Sequence, residues 1–204
     1  MNDIQRKKVD FSRINAVAQG IIIGLIAGVI VSVFRLLISH GLLLVQWFFR
    51  QANHHLWLLV FWLAMSILLT LLIGRWLKET PEIKGSGIPQ VEGQLMGEVE
   101  YSWWPVLWKK FAGGVLAIGS GLFLGREGPS IQLGATVGQG FAASRKISGN
   151  KRRILIASGA SAGLSAAFNA PIASSLFILE EVYHNFSTMV WITALASAIA
   201  ADFV

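Results

Sequence analysis

The chain has 204 residues, of which 54% are apolar and only 14% charged, whereas a soluble domain carries roughly 25% charged residues. With a mean hydropathy of +0.60, this excludes an ordinary soluble domain, and also a disordered chain, which needs low hydrophobicity and high charge. The net charge of +6 reads, in so apolar a chain, as cytoplasmic loops beside anionic lipid and not as a nucleic-acid surface.

A membrane-spanning helix needs about 20 apolar residues. Residues 14–34 form an uncharged run of 21. Arg35 interrupts it and residues 36–49 resume it, which predicts one long tilted helix or a helix with an interfacial extension. Arg6, Lys7, Lys8 and Arg13 precede the run like the basic start of a signal peptide. The run is too long for that and lacks a clear small-residue cleavage site, so a retained span is expected. Residues 1–13 then form a cytoplasmic segment and 14–204 a membrane domain. A second uncharged run covers 51–74, with its apolar centre at 56–73.

Residues 75–110 are polar and mixed in charge, with consecutive tryptophans at 103 and 104. The uncharged pieces that follow are short, at 111–125 and 129–144, and Arg126 and Glu127 separate them. Residues 154–179 form a longer run that Asn169-Ala170-Pro171 cuts in two, because a residue before proline is biased away from helix. A last piece covers 185–201. Lipid cannot pair free backbone N–H and C=O groups, so broken helices occur where protein or a wet cavity surrounds them. In transporters they point to a binding site near the midplane. Glycines at 20, 24 and 28 share a helix face, and the pairs 121/125, 134/138 and 159/163 repeat the spacing, as close helix packing requires.

The acid-free basic run of Arg145, Lys146, Lys151, Arg152 and Arg153 is expected to be cytoplasmic. With the N-terminus inside as well, the Arg126-Glu127 turn falls on the outward side of the core. Glu180 and Glu181 then fall on the inward side.

Four motifs carry candidate chemistry. GSGIP at 85–89 combines permissive glycines, a capping serine and a first-turn proline. It suits either an anion at a helix N-terminus or an ordinary turn and cap. GREGP at 125–129 places Glu127 at a helix start between apolar segments. There it could occupy an anion's place and release it on protonation, or pair simply with Arg126 in a loop. Glu180 and Glu181 can relay protons or be a solvated interfacial pair, and His184 could share a helix face with Glu180. Residues 159–163 match the serine-nucleophile pattern G-x-S-x-G at Ser161, but that elbow needs a preceding strand. Small-residue packing is the alternative. With no Cys, and with His40, His54 and His55 far in sequence from His184, no metal site is expected.

GSGIP, GREGP and the stretch GLSAAFNAPIASSLFILEEV at 163–182 together resemble the ClC family of chloride channels and chloride/proton antiporters, in order and spacing. The resemblance implies an all-α polytopic membrane protein with tilted and broken helices, the first of two inverted-topology repeats. It implies a transporter and not an enzyme, with no cofactor and with chloride and protons as the transported ions. It assigns Glu127 as external gate and proton acceptor and Glu181 as internal proton-transfer residue, with Glu180 supporting. Ser86 with Gly85 and Gly87, and Arg126 with Gly128, would line the anion sites. Many channel members lack the glutamate at 181, so the resemblance favours an antiporter. By the same resemblance, serine and not proline at 86 implies a preference for chloride over nitrate. The expected partners are the lipid bilayer, chloride and a second copy of the full-length protein, and the expected location is a bacterial inner membrane.

The family subunit is about twice this length, and the resemblance covers its first repeat. The later G-x-F-x-P motif and the pore tyrosine of the second repeat have no counterpart among these residues. The expectation is therefore an incomplete half. It would be an inactive fragment, would pair with a separately encoded second half, or would assemble with an antiparallel copy. The last runs against the basic-loop bias. A membrane serine hydrolase built on Ser161 is the alternative from another class.

Overall fold

The computed structural model describes residues 3–52 and 57–204, with side chains from Arg13 onward. Arg6, Lys7, Lys8, His54 and His55, weighed above, therefore lie outside the described side chains. The described residues fold as α1 (Asp3–Ala52), α2 (Trp57–Glu79), a 3₁₀ turn (Pro81–Ile83), α3 (Ile88–Met96), α4 (Trp103–Gly119), α5 (Glu127–Ser144), α6 (Gly149–Phe168), α7 (Pro171–Phe177) and α8 (Thr188–Asp202). A π-helical turn, Ile178–Val182, continues α7.

The interruption at Arg35 does not break α1. Its apolar section, Arg13–Ala52, has 40 residues, about 60 Å at 1.5 Å per residue. That is twice the ~30 Å hydrocarbon layer, so α1 crosses obliquely or projects beyond it. α2 has no buried residue, and Val60 and Leu71 are more than two-thirds exposed. An apolar helix left bare in this way presents its side chains to lipid or to further protein. Its start meets the end of α1 through rings, with Phe48 5.2 Å and Phe49 5.5 Å from Trp62.

α6 is the central post, with every residue from Ile154 to Ala167 buried. It packs on α5 through glycine: a β-carbon at Gly134 would strike the Gly159 carbonyl, and one at Gly163 the Ser130 carbonyl. The glycine face at 20, 24 and 28 meets the carbonyls of Thr193, Ser197 and Ala201 on α8. The pair at 121 and 125 is different. α4 ends at Gly119, so both glycines lie in the connection to α5, where Gly121 has φ +92°. Their four-residue spacing reflects a turn and not a helix face.

α4 also begins eight residues before the uncharged window at 111. Lys109 and Lys110 lie within it, buried, because oxygen atoms meet both ammonium groups. Lys109 Nζ donates to Glu79 Oε2 at 3.0 Å and Thr80 Oγ1 at 2.8 Å. Lys110 Nζ donates to the carbonyls of Ile83 at 3.0 Å and Gly85 at 2.8 Å. Buried charge is tolerated when it is hydrogen-bonded in this way.

The expected cut between α6 and α7 is present. Asn169 takes the left-handed conformation (φ 55°, ψ 43°), and Pro171 opens α7. Arg35 of α1 reaches this point, with Nη1 donating to the Ala166 carbonyl and, at 3.2 Å, to Asn169 Oδ1. A guanidinium at a helix C-terminus satisfies orphan carbonyls and opposes the helix dipole.

Candidate anion and proton site

The N-termini of α3 and α5 meet. Gly87 caps α3 with φ 91°, a conformation that favours glycine. Ser86 is therefore not the helix cap the sequence suggested. It stands one residue earlier, and its Oγ accepts the Ile88 N–H at 3.3 Å. Gly128, in the first turn of α5, abuts Ser86 directly, and Gly87 abuts the Gln132 side chain. Two helix N-termini thus direct partial positive charge and unpaired N–H groups at one place, the arrangement that suits an anion.

The Ser86 loop is held from three sides. Lys110 binds the carbonyls on either side of Lys84, at Ile83 and Gly85. Gln132 Nε2 donates to the Glu82 carbonyl at 2.8 Å. Lys109 anchors Thr80. None of these three side chains was singled out from sequence. The available signal was a lysine pair directly before an apolar run.

A cavity of about 530 Å³ opens in front of this loop, lined by Gly85, Ser86, Lys110, Glu127 and Gly128 among others. A second cavity of about 570 Å³ lies beside it, lined by Leu164, Phe168, Ala170, Ser174 and Phe177 from α6 and α7. Ile88 and Glu127 line both. The Glu127 carboxylate folds back toward Gly125, where a β-carbon would strike its Oε2. Arg126 caps α5, its carbonyl accepting from Ser130 Oγ at 2.8 Å.

The structure thus brings together Gly85, Ser86, Gly87, Arg126, Glu127 and Gly128. Glu180 and Glu181 are separate. Both are exposed on the π-helical turn, and neither lines the two cavities. The turn lies at the end of the molecule that carries the start of α6, because Tyr183 Oη donates to Asn150 Oδ1 at 3.2 Å. His184 does not share a face with Glu180. It leaves the helix at φ 50° and faces Glu92, 3.8 Å away. Ser161 sits within continuous α6, fully buried, with no strand-to-helix elbow.

Among the described residues, an all-helical bundle with broken helices and two helix N-termini meeting at a cavity is the architecture of a polytopic membrane protein. The chain belongs to the voltage gated chloride channel family, whose pattern it matches over residues 65–204. It is 40% identical over 181 residues to the H(+)/Cl(-) exchange transporter ClcA of Vibrio cholerae serotype O1, covering 79% of this chain and 39% of that protein. A slow cyanobacterial Cl-/H+ antiporter is similar in structure, with TM-score 0.78 and 34% identity over 92% of this chain and 45% of that one. A eukaryotic CLC transporter shares the fold, with TM-score 0.80 and 22% identity over 93% of this chain and 37% of that one. The chain thus spans about two-fifths of the length of the curated relatives it matches.

Proposed function

We propose that these residues form the first repeat of a chloride/proton antiporter, with Ser86, Gly85, Gly87, Arg126 and Gly128 about the anion and Glu127 as its external gate and proton acceptor. The observation that carries this reading is the place of Glu127, on the wall between the Ser86 cavity and the cavity beside α7. A carboxylate there competes with an anion for the same N–H groups, and protonation removes its claim. Partial charges from helix ends and a hydroxyl hold an anion loosely enough for it to leave.

Glu181, with Glu180 in support, collects protons at the opposite end of the α7 segment. The basic segment 145–153, which joins α5 to the first turn of α6, faces the cytoplasm of a bacterial inner membrane, as does the N-terminus, so that Glu127 lies outward and Glu181 inward. Completion of the anion site requires the second repeat, and the working assembly is a homodimer. The relatives' printed activities support chloride and protons as the ions.

The test is chloride-driven proton uptake in liposomes, measured on this chain and on this chain joined to the remaining half of the similar cyanobacterial antiporter. Glu127→Ala is expected to abolish proton coupling while chloride still passes, and Glu181→Gln to abolish coupling from the inner side. Coupling that survives Glu127→Ala overturns the assignment.

A further inference from the structure

At the end of the molecule that carries the basic segment 145–153, a cleft of about 210 Å³ lies between the α3–α4 connection and the start of α6. It is separate from the Ser86 cavity and shares no lining residue with it. Gln94, Gly97 and Glu100 line one side, and Gly149, Arg152 and Arg153 the other. From this cleft we infer a binding site for a phosphate group, carried by a lipid headgroup or a free phosphate ion.

Three independent features support it. First, the α6 N-terminus opens into the cleft with no capping side chain and no acid in its first turn, so its free N–H groups and partial positive charge are uncompensated. Second, two guanidinium groups stand there. Arg153 lies over Gly97, where a β-carbon would be 2.5 Å from its Nη2, and Gly97 is a left-handed position at φ 86°. Arg152 pairs with Glu100 across the cleft at 2.5 Å. Third, Gln94 lines the cleft and is only 4% exposed, yet neither its Nε2 nor its Oε1 has a hydrogen-bond partner. A buried amide without a partner is costly, and a ligand oxygen accepting from Nε2 removes that cost.

The chemistry selects phosphate over a halide. Guanidinium forks match several oxygens of one tetrahedral group, and the cleft is far larger than a monatomic ion requires. Glu100 acts against the ligand. It occupies Arg152 and must release it, so it sets the affinity. After that pair is counted, one guanidinium and the helix end remain positive.

The test is calorimetric titration of the purified chain in detergent with inorganic phosphate. Saturable binding is expected at one site per chain. Arg153→Gln and Gln94→Leu are each expected to weaken it about tenfold or more, since a charge-assisted hydrogen bond is lost. Glu100→Gln is expected to tighten it. Gln94→Leu removes no charge, so its effect separates a built site from general attraction to a basic surface. Repeating the titration in phosphatidylcholine nanodiscs with and without phosphatidic acid distinguishes the sources. If the lipid headgroup is the occupant, phosphatidic acid abolishes the phosphate signal. If free phosphate is, the two nanodiscs give the same isotherm. Arg153 and Glu100 are exposed, so their variants keep the proposal testable if Gln94→Leu misfolds, with helicity by circular dichroism as the control. Absence of saturable phosphate binding in every medium overturns the inference. So does wild-type affinity in the Arg153→Gln variant.

Discussion

A β-carbon at position 128 would stand 2.6 Å from the Ser86 Cβ and 2.8 Å from the Ser86 carbonyl oxygen. The first turn of α5 and the loop before α3 are thus in backbone contact, and only glycine fits between them. Gly128→Ala forces the two helix ends apart. The expected cost is about 1–3 kcal/mol, as for other overpacked sites, seen as a lower melting temperature in detergent. Gly74→Ala is the control. It lies in α2 with nothing within 4 Å of an added β-carbon, and alanine there should stabilise by about 0.5–1 kcal/mol. Equal effects from the two changes would show that the Ser86 contact is not tight.

Lys110 should be felt first in the loop it holds. Lys110→Met leaves the carbonyls of Ile83 and Gly85 without their donor, at a cost of about 1–3 kcal/mol. Hydrogen exchange should accelerate at residues 83–88, with α8 unchanged. Protection lost evenly along the chain would instead mean a global effect.

Arg35→Leu should fray the end of α6. The orphan carbonyl at Ala166 and the Asn169 side chain lose the same donor. Exchange should rise at 169–174, and Arg35→Lys should restore part of the protection, because a single ammonium replaces one arm of the fork. No difference between the leucine variant and the parent would leave the cap without energetic weight.

Burial pushes the Tyr101 hydroxyl from its usual value near 10 up to about 12. Tyr101 lies in the α3–α4 connection, outside the spanning helices. The raised folded value means the fold favours the neutral phenol. Its contribution is fully present below pH 10 and is lost as pH rises through 12, by about 3 kcal/mol in total. Denaturant melts between pH 10 and 12 should therefore show a decline that Tyr101→Phe reduces. A decline of the same size in Tyr101→Phe would place its origin elsewhere.

The spans and the break were legible because each rests on local chemistry. The run at 14–34, the proline at 171 and the glutamate after Arg126 speak for themselves in one dimension. The start of α4 did not. Lys109 and Lys110 look like the polar edge of a span until their acceptors are known, and those acceptors lie 25 to 30 residues away. Glycine spacing misled at 121 and 125 for a related reason, since a four-residue interval says nothing about whether the backbone between is helical. His184 was placed by helical periodicity, but the chain leaves the helix at that residue. The residues gathered around Ser86 were visible as motifs. That Glu127 would stand between two cavities required the fold.

The Arg35 contact has a consequence for biogenesis. Its acceptor at Ala166 lies 131 positions further along the chain, so α1 emerges from the ribosome long before α6 exists. Until then the Arg35 guanidinium lacks this partner, and an unpaired guanidinium is costly in hydrocarbon. The arrival of α6 gives that charge its place. The residues that end α6 at Asn169 are therefore also the ones that complete the hydrogen bonds of α1.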